Sequence, residues 1–299
     1  MRQNESYGRR LWRLWGAMVI HLLISYACYM IYSCIYSFTC LQSMDGSEAA
    51  NVIANGAESS AVYDQVMQAM ALNTTAIETV AALLTLPIIY FMMYRKDRMN
   101  EKAENRAFIT NGSVVNYAKV ILMSLGMAVV LNNFIIIGNL SSYSDSYEST
   151  VESLYAVPLW MQVIGLVVVM PLCEELIFRG IMFKRMRERS GFVSAAMYSA
   201  IVFGITHGNM VQMVYAFFMG LTFAFVYEKV GTFKAAYMAH IFANLFSVIA
   251  TYTGAYDWFC AAFLRIAILT VGCAAAATAA YASLRNLPSG EMIPVIDEE

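Results

Sequence analysis

Charged residues are scarce in this chain. They make up 13% of its 299 residues, whereas 60% are hydrophobic. Soluble domains carry charge on roughly a quarter of their residues. No segment of soluble composition is long enough to form a domain, so the composition excludes a soluble globular protein. The net charge is -2, and the basic residues are confined to certain loops, which gives nucleic-acid binding no support.

Motifs for redox chemistry, structural zinc and export are also missing. The six cysteines form no CxxC pair, and most lie in apolar runs, which predicts reduced, structural residues. No small-residue cleavage site follows the first apolar run, so we expect that run to remain as an uncleaved helix. The chain has neither a repeat of about 20 to 50 residues nor a pair of inverted halves.

Eight apolar segments take up most of the sequence. Each is long enough, or nearly so, to cross a hydrocarbon layer of about 30 Å. Helices satisfy their own backbone polar groups in lipid, which predicts an all-α, polytopic membrane protein with about eight transmembrane helices. The segments are 14–40, 76–94, 120–140, 157–183, 192–206, 210–227, 235–252 and 258–284.

The charges between these segments alternate in sign along the chain. Basic residues precede segment one and follow segments two and four, whereas the loops after segments one and three are acidic. The positive-inside rule then places both termini in the cytoplasm. No organelle address is apparent, which favours the inner membrane of a prokaryote.

This topology gives three regions. Residues 1–150 form an N-terminal three-helix region with an external loop at about 41–75. Residues 151–285 hold the core plus the last helix, and 286–299 form a short, disordered cytoplasmic tail.

Few polar residues lie within the predicted spans. A charge near the bilayer centre costs at least about 2.5 kcal/mol, so each is a functional-site hypothesis. We expect Glu78, near an outer end, to be solvated or paired, and His21 and Arg265 to act as packing or snorkelling groups. The remaining residues are Glu174, Glu175, Arg179, His207, His240 and Asn244.

Glu174 and Glu175 adjoin each other in segment four. Glu175 and Arg179 are four apart and therefore face each other on a helix, which predicts an ion pair. Glu174 is turned by about 100° and need not share that pair. One carboxylate would then be neutralised, while the other is free to act as a general base. A purely structural ion pair is the alternative for this group.

Segments five and seven supply two further polar groups. Phe203 and His207 are four apart, so the phenyl ring can fix the imidazole, and His240 and Asn244 likewise share one face. A rise of about 1.5 Å per residue puts Glu174, His207 and His240 at overlapping depths. We therefore predict one intramembrane pocket that opens toward the cytoplasm.

This residue set suits hydrolysis. A carboxylate can activate water, imidazoles can hold that water, and an amide can stabilise an oxyanion. Glu174, His207 and His240 also match the ligands of a catalytic zinc site. The HExxH pattern is absent, so spacing does not indicate a metal and the choice stays open.

The three motifs, Glu174-Glu175-x-x-x-Arg179, Phe203-x-x-x-His207 and His240-x-x-x-Asn244, resemble the signature of the CPBP family over about 157–250. That family includes the type II CAAX prenyl endopeptidases and bacterial relatives linked to bacteriocin processing or self-immunity. The resemblance implies an eight-helix intramembrane protease with its catalytic core in four helices.

Carried over by position, the resemblance makes Glu174 the residue that activates water, assisted by His207. His240 and Asn244 would stabilise the oxyanion, and Glu175 and Arg179 would support the first motif. Family members are described both as metalloproteases and as metal-free glutamate proteases.

Two other classes of function remain open from the sequence. An ion- or proton-coupled transporter could use the same buried carboxylates and histidines. A non-catalytic immunity or scaffold protein could retain the pocket. For the protease, the expected partners are membrane lipid and a membrane-associated protein or peptide substrate.

Overall fold

The computed structural model describes residues 6–55, 61–104, 106–140, 144–288 and 292–294. Almost all of these residues are helical, as the sequence predicts. The helices are α1 Tyr7–Gln42, α2 Gly46–Asn55, α3 Ala61–Leu72, α4 Thr74–Ala103, α5 Val114–Ile137, α6 Asp145–Tyr155, α7 Leu159–Arg187, α8 Phe192–Ile205, α9 Met210–Val230, α10 Phe233–Tyr252, α11 Ala255–Cys260 and α12 Phe263–Arg285.

Seven of the described helices are long and apolar enough to cross a membrane: α1, α4, α5, α7, α9, α10 and α12. The remaining predicted segment corresponds to α8, which is apolar but has only 14 residues. Its length is about 21 Å at 1.5 Å per residue. All eight predicted segments are thus helices, and the all-α polytopic fold is confirmed.

One end of the bundle gathers the basic loops, and we call it the basic face. Arg185, at the end of α7, donates to Asp97 on α4 and to the carbonyl of Arg13 on α1. Asn111 donates to the carbonyl of Lys229, and Lys229 in turn donates to that of Leu287, beyond α12. These contacts put the start of α1 and the end of α12 on the same face.

The opposite end, which we call the acidic face, holds α2, α3, α6 and α11. Thr75 donates to the carbonyl of Leu154, and Asn209 donates to Thr150 at 3.5 Å, so α6 covers the start of both α4 and α9. The predicted external loop is largely helical here because α3 buries apolar side chains against the end of α1. Residues 56–60 of that loop lie outside the described residues.

A short antiparallel sheet lies beside the basic face. Strand β1, Arg106–Phe108, pairs with strand β2, Met292–Pro294, with Ala107 opposite Ile293. The prediction of a disordered tail is therefore wrong for 292–294, where pairing satisfies backbone groups that a free tail leaves to water. Residues 289–291 and 295–299 lie outside the described residues.

Helix α7 runs through the centre of the bundle. Its side chains Ile181, Met182 and Phe183 are fully buried. Two π-helical stretches, Val163–Val169 and Leu176–Phe183, interrupt its α-helical geometry on either side of the Glu174–Glu175 pair. Such stretches are frequent at functional sites because they turn side chains away from their regular positions.

Candidate active site

The predicted ion pair on α7 is present and fully buried. Arg179 Nη1 donates to Glu175 Oε1 at 2.9 Å, and neither side chain is exposed. Arg179 Nη2 donates to the carbonyl of Gly220 on α9 at 3.1 Å. The guanidinium also lies 4.4 Å from the ring centroid of Phe203 and 5.2 Å from that of Phe223. Arg179 therefore ties α7 to α8 and α9.

His240 on α10 lies between the two glutamates. Its Nδ1 is 2.9 Å from Glu175 Oε1, and its Nε2 is 3.7 Å from Glu174 Oε2. The ring stacks on Phe223 with centroids 4.6 Å apart. An ionised carboxylate only accepts hydrogen bonds, so Nδ1–H donates to an ionised Glu175. The orientation of His240 is thus fixed from two sides, with Nε2 left toward Glu174.

His207 follows the end of α8 in the turn to α9. Its Nδ1 lies 2.8 Å from the carbonyl oxygen of Phe203, which requires the proton on Nδ1. The Phe203 ring meets the imidazole edge to face at 4.8 Å, as the four-residue spacing predicts. Gly208 has φ +78°, a conformation that favours glycine and lets the chain reverse directly after His207. Nε2 is the remaining polar atom of this ring.

Asn244 lies one helical turn beyond His240 on α10. Its Nδ2 donates to the carbonyl of Leu166 at 2.8 Å, inside the first π-helical stretch of α7. A side-chain amide has two N–H groups, so one remains for another acceptor.

One cavity of about 770 Å³ brings four of the predicted residues together. Glu174, His207, His240 and Asn244 all line it, whereas Glu175 and Arg179 lie behind its wall. The two adjacent glutamates therefore occupy different environments: Glu174 faces the cavity with a side chain 24% exposed, and Glu175 is not exposed.

The cavity opens on the acidic face. Of its exposed lining residues, Thr206, Thr251, Asp257 and Cys260 belong to connections or helix ends there. The other two are Leu22 on α1 and Ile136 near the end of α5. On the basic side, the Glu175–Arg179 pair and the Lys184–Glu101 pair, with Nζ 2.7 Å from Oε2, close the bundle. The sequence predicts that the pocket opens on the side of the basic loops, and the exposed lining lies mainly at the other end of the bundle. The position of a residue along a helix does not show which end of a cavity is open. Which side of the membrane the mouth faces stays a prediction.

Zinc binding at Glu174, His207 and His240 stays a prediction. Among the described residues, no group of three His, Cys, Asp or Glu side chains is arranged to hold one ion, and this includes the predicted ligands. No step proposed below uses a metal.

Four further residues line the cavity, and their sequence positions predict no catalytic role. Tyr155, Tyr215 and Tyr256 line it on the side of the mouth, and Glu78 on α4 lines it across from α10. Burial raises the pKa of Tyr155 and of Tyr256, so both phenols stay neutral.

The other two polar residues in the spans behave as predicted. His21 Nδ1 lies 3.1 Å from the hydroxyl of Thr85 on α4, which makes it a packing partner that also reaches the cavity. Arg265, in the first turn of α12, stacks over Trp258 at 4.3 Å and donates to its carbonyl.

Comparison with known proteins finds similarity in the helices around this cavity. Residues 156–246 match the sequence profile of the family described as "Type II CAAX prenyl endopeptidase Rce1-like". This segment is similar to that family. The matched residues include every predicted site residue of α7, α10 and the α8–α9 turn.

A relative with a related name matches a longer stretch of this chain. The Bacillus subtilis (strain 168) protein named "Putative membrane peptidase YdiL" is 31% identical over 130 residues. The match takes in 44% of this chain and 52% of the relative, so the chain spans about half the length of that relative. No solved structure matches the chain.

Proposed function

We propose that this protein is an intramembrane endopeptidase in which Glu174 activates water. The observation that carries the proposal is the convergence of Glu174, His207, His240 and Asn244 on one cavity within the helical bundle. The family match of 156–246 and the peptidase name of the relative support the same reaction class.

In the proposed reaction, the Glu174 carboxylate takes a proton from water, and the water oxygen attacks the carbonyl carbon of the scissile peptide bond. His207 Nε2 accepts a hydrogen bond from the same water and orients it. The carbonyl oxygen becomes an oxyanion, which is stabilised by the free N–H of Asn244 and by Nε2–H of His240. In this step His240 carries protons on both ring nitrogens, because its Nδ1–H remains bonded to Glu175. The C–N bond then breaks, and the leaving nitrogen takes the proton from Glu174.

Glu175 and Arg179 act as positioning residues in this mechanism. Glu175 Oε1 accepts from both Arg179 and His240 at 2.9 Å, so one oxygen fixes the imidazole and neutralises the guanidinium. Because the His240 imidazole is already held in place, it can stabilise the transition state without first reorganising.

The position of the mouth bears on the substrate. Prenylated CAAX proteins and bacteriocin-like peptides are both candidates from the family. With the basic loops in the cytoplasm, the cavity opens to the opposite side of the membrane. We therefore favour an exported or bacteriocin-like peptide as the substrate, held at the non-cytoplasmic surface of the membrane. A prenylated cytoplasmic protein is the less favoured candidate.

The test is proteolysis by the purified full chain in lipid nanodiscs. The panel contains bacteriocin-like precursor peptides and prenylated CAAX peptides, each incubated with wild type, Glu174→Gln and Glu152→Gln. Glu152 is an exposed carboxylate on α6 that does not line the cavity, so it controls for loss of charge.

We expect Glu174→Gln to lose at least about 100-fold in cleavage rate, the scale of general-base catalysis, and Glu152→Gln to retain it. Cleavage that survives a chelator supports the metal-free reaction. Equal rates for Glu174→Gln and wild type would refute the proposal.

A further inference from the structure

A second carboxylate faces the same cavity from helices outside the family match. Glu78 lies on α4, and the residues around it in the lining, Ser25 and Tyr29, lie on α1. Both helices precede residue 156, where the family match begins. Glu78 is four residues from the start of α4, whereas Glu174 is deep in α7. The two carboxylates thus lie at different heights in one cavity.

Glu78 is held in place by a neighbouring helix. Ser25 Oγ donates to Glu78 Oε2 at 3.0 Å, and Ser25 is only 8% exposed. The hydrogen bond engages one carboxylate oxygen and orients the group. It does not neutralise the charge, because a serine hydroxyl is neutral.

No lysine or arginine among the described lining residues balances this charge. Among the described residues that line it, Glu78, Glu174 and Asp257 carry carboxylates, and none is Lys or Arg. The nearest buried guanidinium, Arg179, lies behind the wall and is bound to Glu175. A carboxylate in a partly apolar cavity attracts a cation more strongly than one in water because the local dielectric is lower. The cavity is therefore electrostatically complementary to a positively charged group.

We infer that Glu78 forms a subsite for a cationic side chain, lysine or arginine, of the peptide substrate. The inference deepens the proposed function and rests on it for the identity of the ligand as a substrate. Protease pockets that carry a carboxylate select basic residues by the same attraction. Glu78 is a specificity-determining residue in this scheme and takes no part in the chemical step.

The height of Glu78 sets the position of that basic residue. Thr79, the residue after Glu78, lies opposite Gly165 on α7: a Cβ added to Gly165 would come within 2.4 Å of the threonine hydroxyl. Glu78 is therefore near the height of Gly165. Glu174 follows Gly165 by nine residues, or roughly 13 Å along the helix. An extended peptide advances about 3.3 Å per residue. The cationic residue would thus lie about four residues from the scissile bond.

A binding experiment tests the subsite without requiring cleavage. The probes are n-octylguanidinium and n-octanol, which share an apolar tail and differ in charge. Each is titrated by calorimetry into nanodiscs that hold the full chain with Glu174→Gln, with or without Glu78→Gln. The Glu174→Gln background removes the other deep carboxylate, and Glu152→Gln in the same background controls for general surface charge.

We expect octylguanidinium to bind at least tenfold more weakly when Glu78 is replaced, with octanol binding unchanged and the Glu152→Gln control unaffected. Glutamine can still accept the Ser25 hydrogen bond, and an unchanged Tm shows that the variant is folded. Equal octylguanidinium affinity with and without Glu78→Gln overturns the subsite.

The cleavage arm separates this inference from the proposed function. The cleavage rates of peptides with lysine, glutamine or glutamate four residues from the cleaved bond are compared. The enzymes are wild type, Glu78→Gln and Glu78→Lys, all with Glu174 intact. We expect a preference for lysine that Glu78→Gln removes and Glu78→Lys turns toward glutamate. Cleavage without any preference overturns the subsite and leaves the protease standing. Glu78-dependent binding by a chain that cleaves nothing supports a cation site and refutes the protease.

Discussion

The two ends of the helical bundle use their charged residues in different ways. Toward the basic face, carboxylates are paired with cations: Glu175 with Arg179, Glu101 with Lys184 and Asp97 with Arg185. Toward the acidic face, Glu78 and Asp257 line an open cavity whose described lining holds no Lys or Arg. One end is thus closed by ion pairs, and the other presents carboxylates with no basic side chain beside them in the lining.

The difference separates structural from functional charge. A buried carboxylate with a buried cation stabilises the packing around it only as a pair, and losing either partner is costly. A carboxylate in an open cavity retains water or accepts a ligand. The same residue type therefore predicts stability effects at one end and binding effects at the other.

The largest stability effect is expected at Arg179. Arg179→Met leaves Glu175 buried without its cation, which typically costs about 3 to 5 kcal/mol. The free energy of unfolding, measured by denaturant titration in mixed micelles, should fall by that amount. Arg9→Met, at an exposed position near the start of α1, is the matched control. A change below about 0.5 kcal/mol for Arg179→Met, the size usual for surface substitutions, would contradict the view that this end is closed by ion pairs.

A smaller loss is expected at Lys184. This side chain is 2% exposed and donates to Glu101 at 2.7 Å. Lys184→Ala should cost about 2 kcal/mol, the scale of a hydrogen bond to a charged group. The exchanged pair Lys184→Glu with Glu101→Lys should recover part of that loss in the same unfolding assay. If the double variant is no better than Lys184→Ala, the pair does not stabilise the basic face.

The smallest effect is expected at the open end. Within the described part of the chain, the Tyr256 hydroxyl is buried and has no hydrogen-bond partner, and the ring meets Phe246 edge to face at 5.9 Å. Tyr256→Phe keeps that ring contact and removes only the hydroxyl, so stability should change by less than about 0.5 kcal/mol. A loss similar to that of Lys184→Ala would show that the mouth is also held together by polar contacts.

Local spacing predicted much of the site. The Glu175–Arg179 pair and the Phe203–His207 contact follow from a four-residue separation on one helix, which fixes which side chains face each other. The hydrogen bond between His240 and Glu175 joins residues that are 65 positions apart and lie on different helices. No spacing within one segment reveals it. The sequence could place both residues in the membrane but could not give their mutual orientation.

Other features depended on helix rotation and on tertiary contacts. The sequence predicts Glu78 to be solvated or paired. Its position in segment two does not show that the packing of α1 against α4 directs its side chain toward the cavity. The end of the bundle away from the mouth is closed in part by the contact between Lys184 and Glu101, which are 83 residues apart. The strand at 292–294 required a partner at 106–108. Each of these misses involves two segments that are distant in sequence.

The shortness of α8 has a consequence for the surrounding lipid. Its exposed apolar side chains, Val193, Met197, Ile201 and Ile205, form a stripe that ends two residues before His207. Twelve residues of helix cover about 18 Å, against a hydrocarbon thickness of roughly 30 Å. A bilayer adapts to such mismatch by thinning locally. The acyl chains beside His207 would then be compressed, so that lipid composition, through chain length, sets the distance from the membrane surface to Glu174.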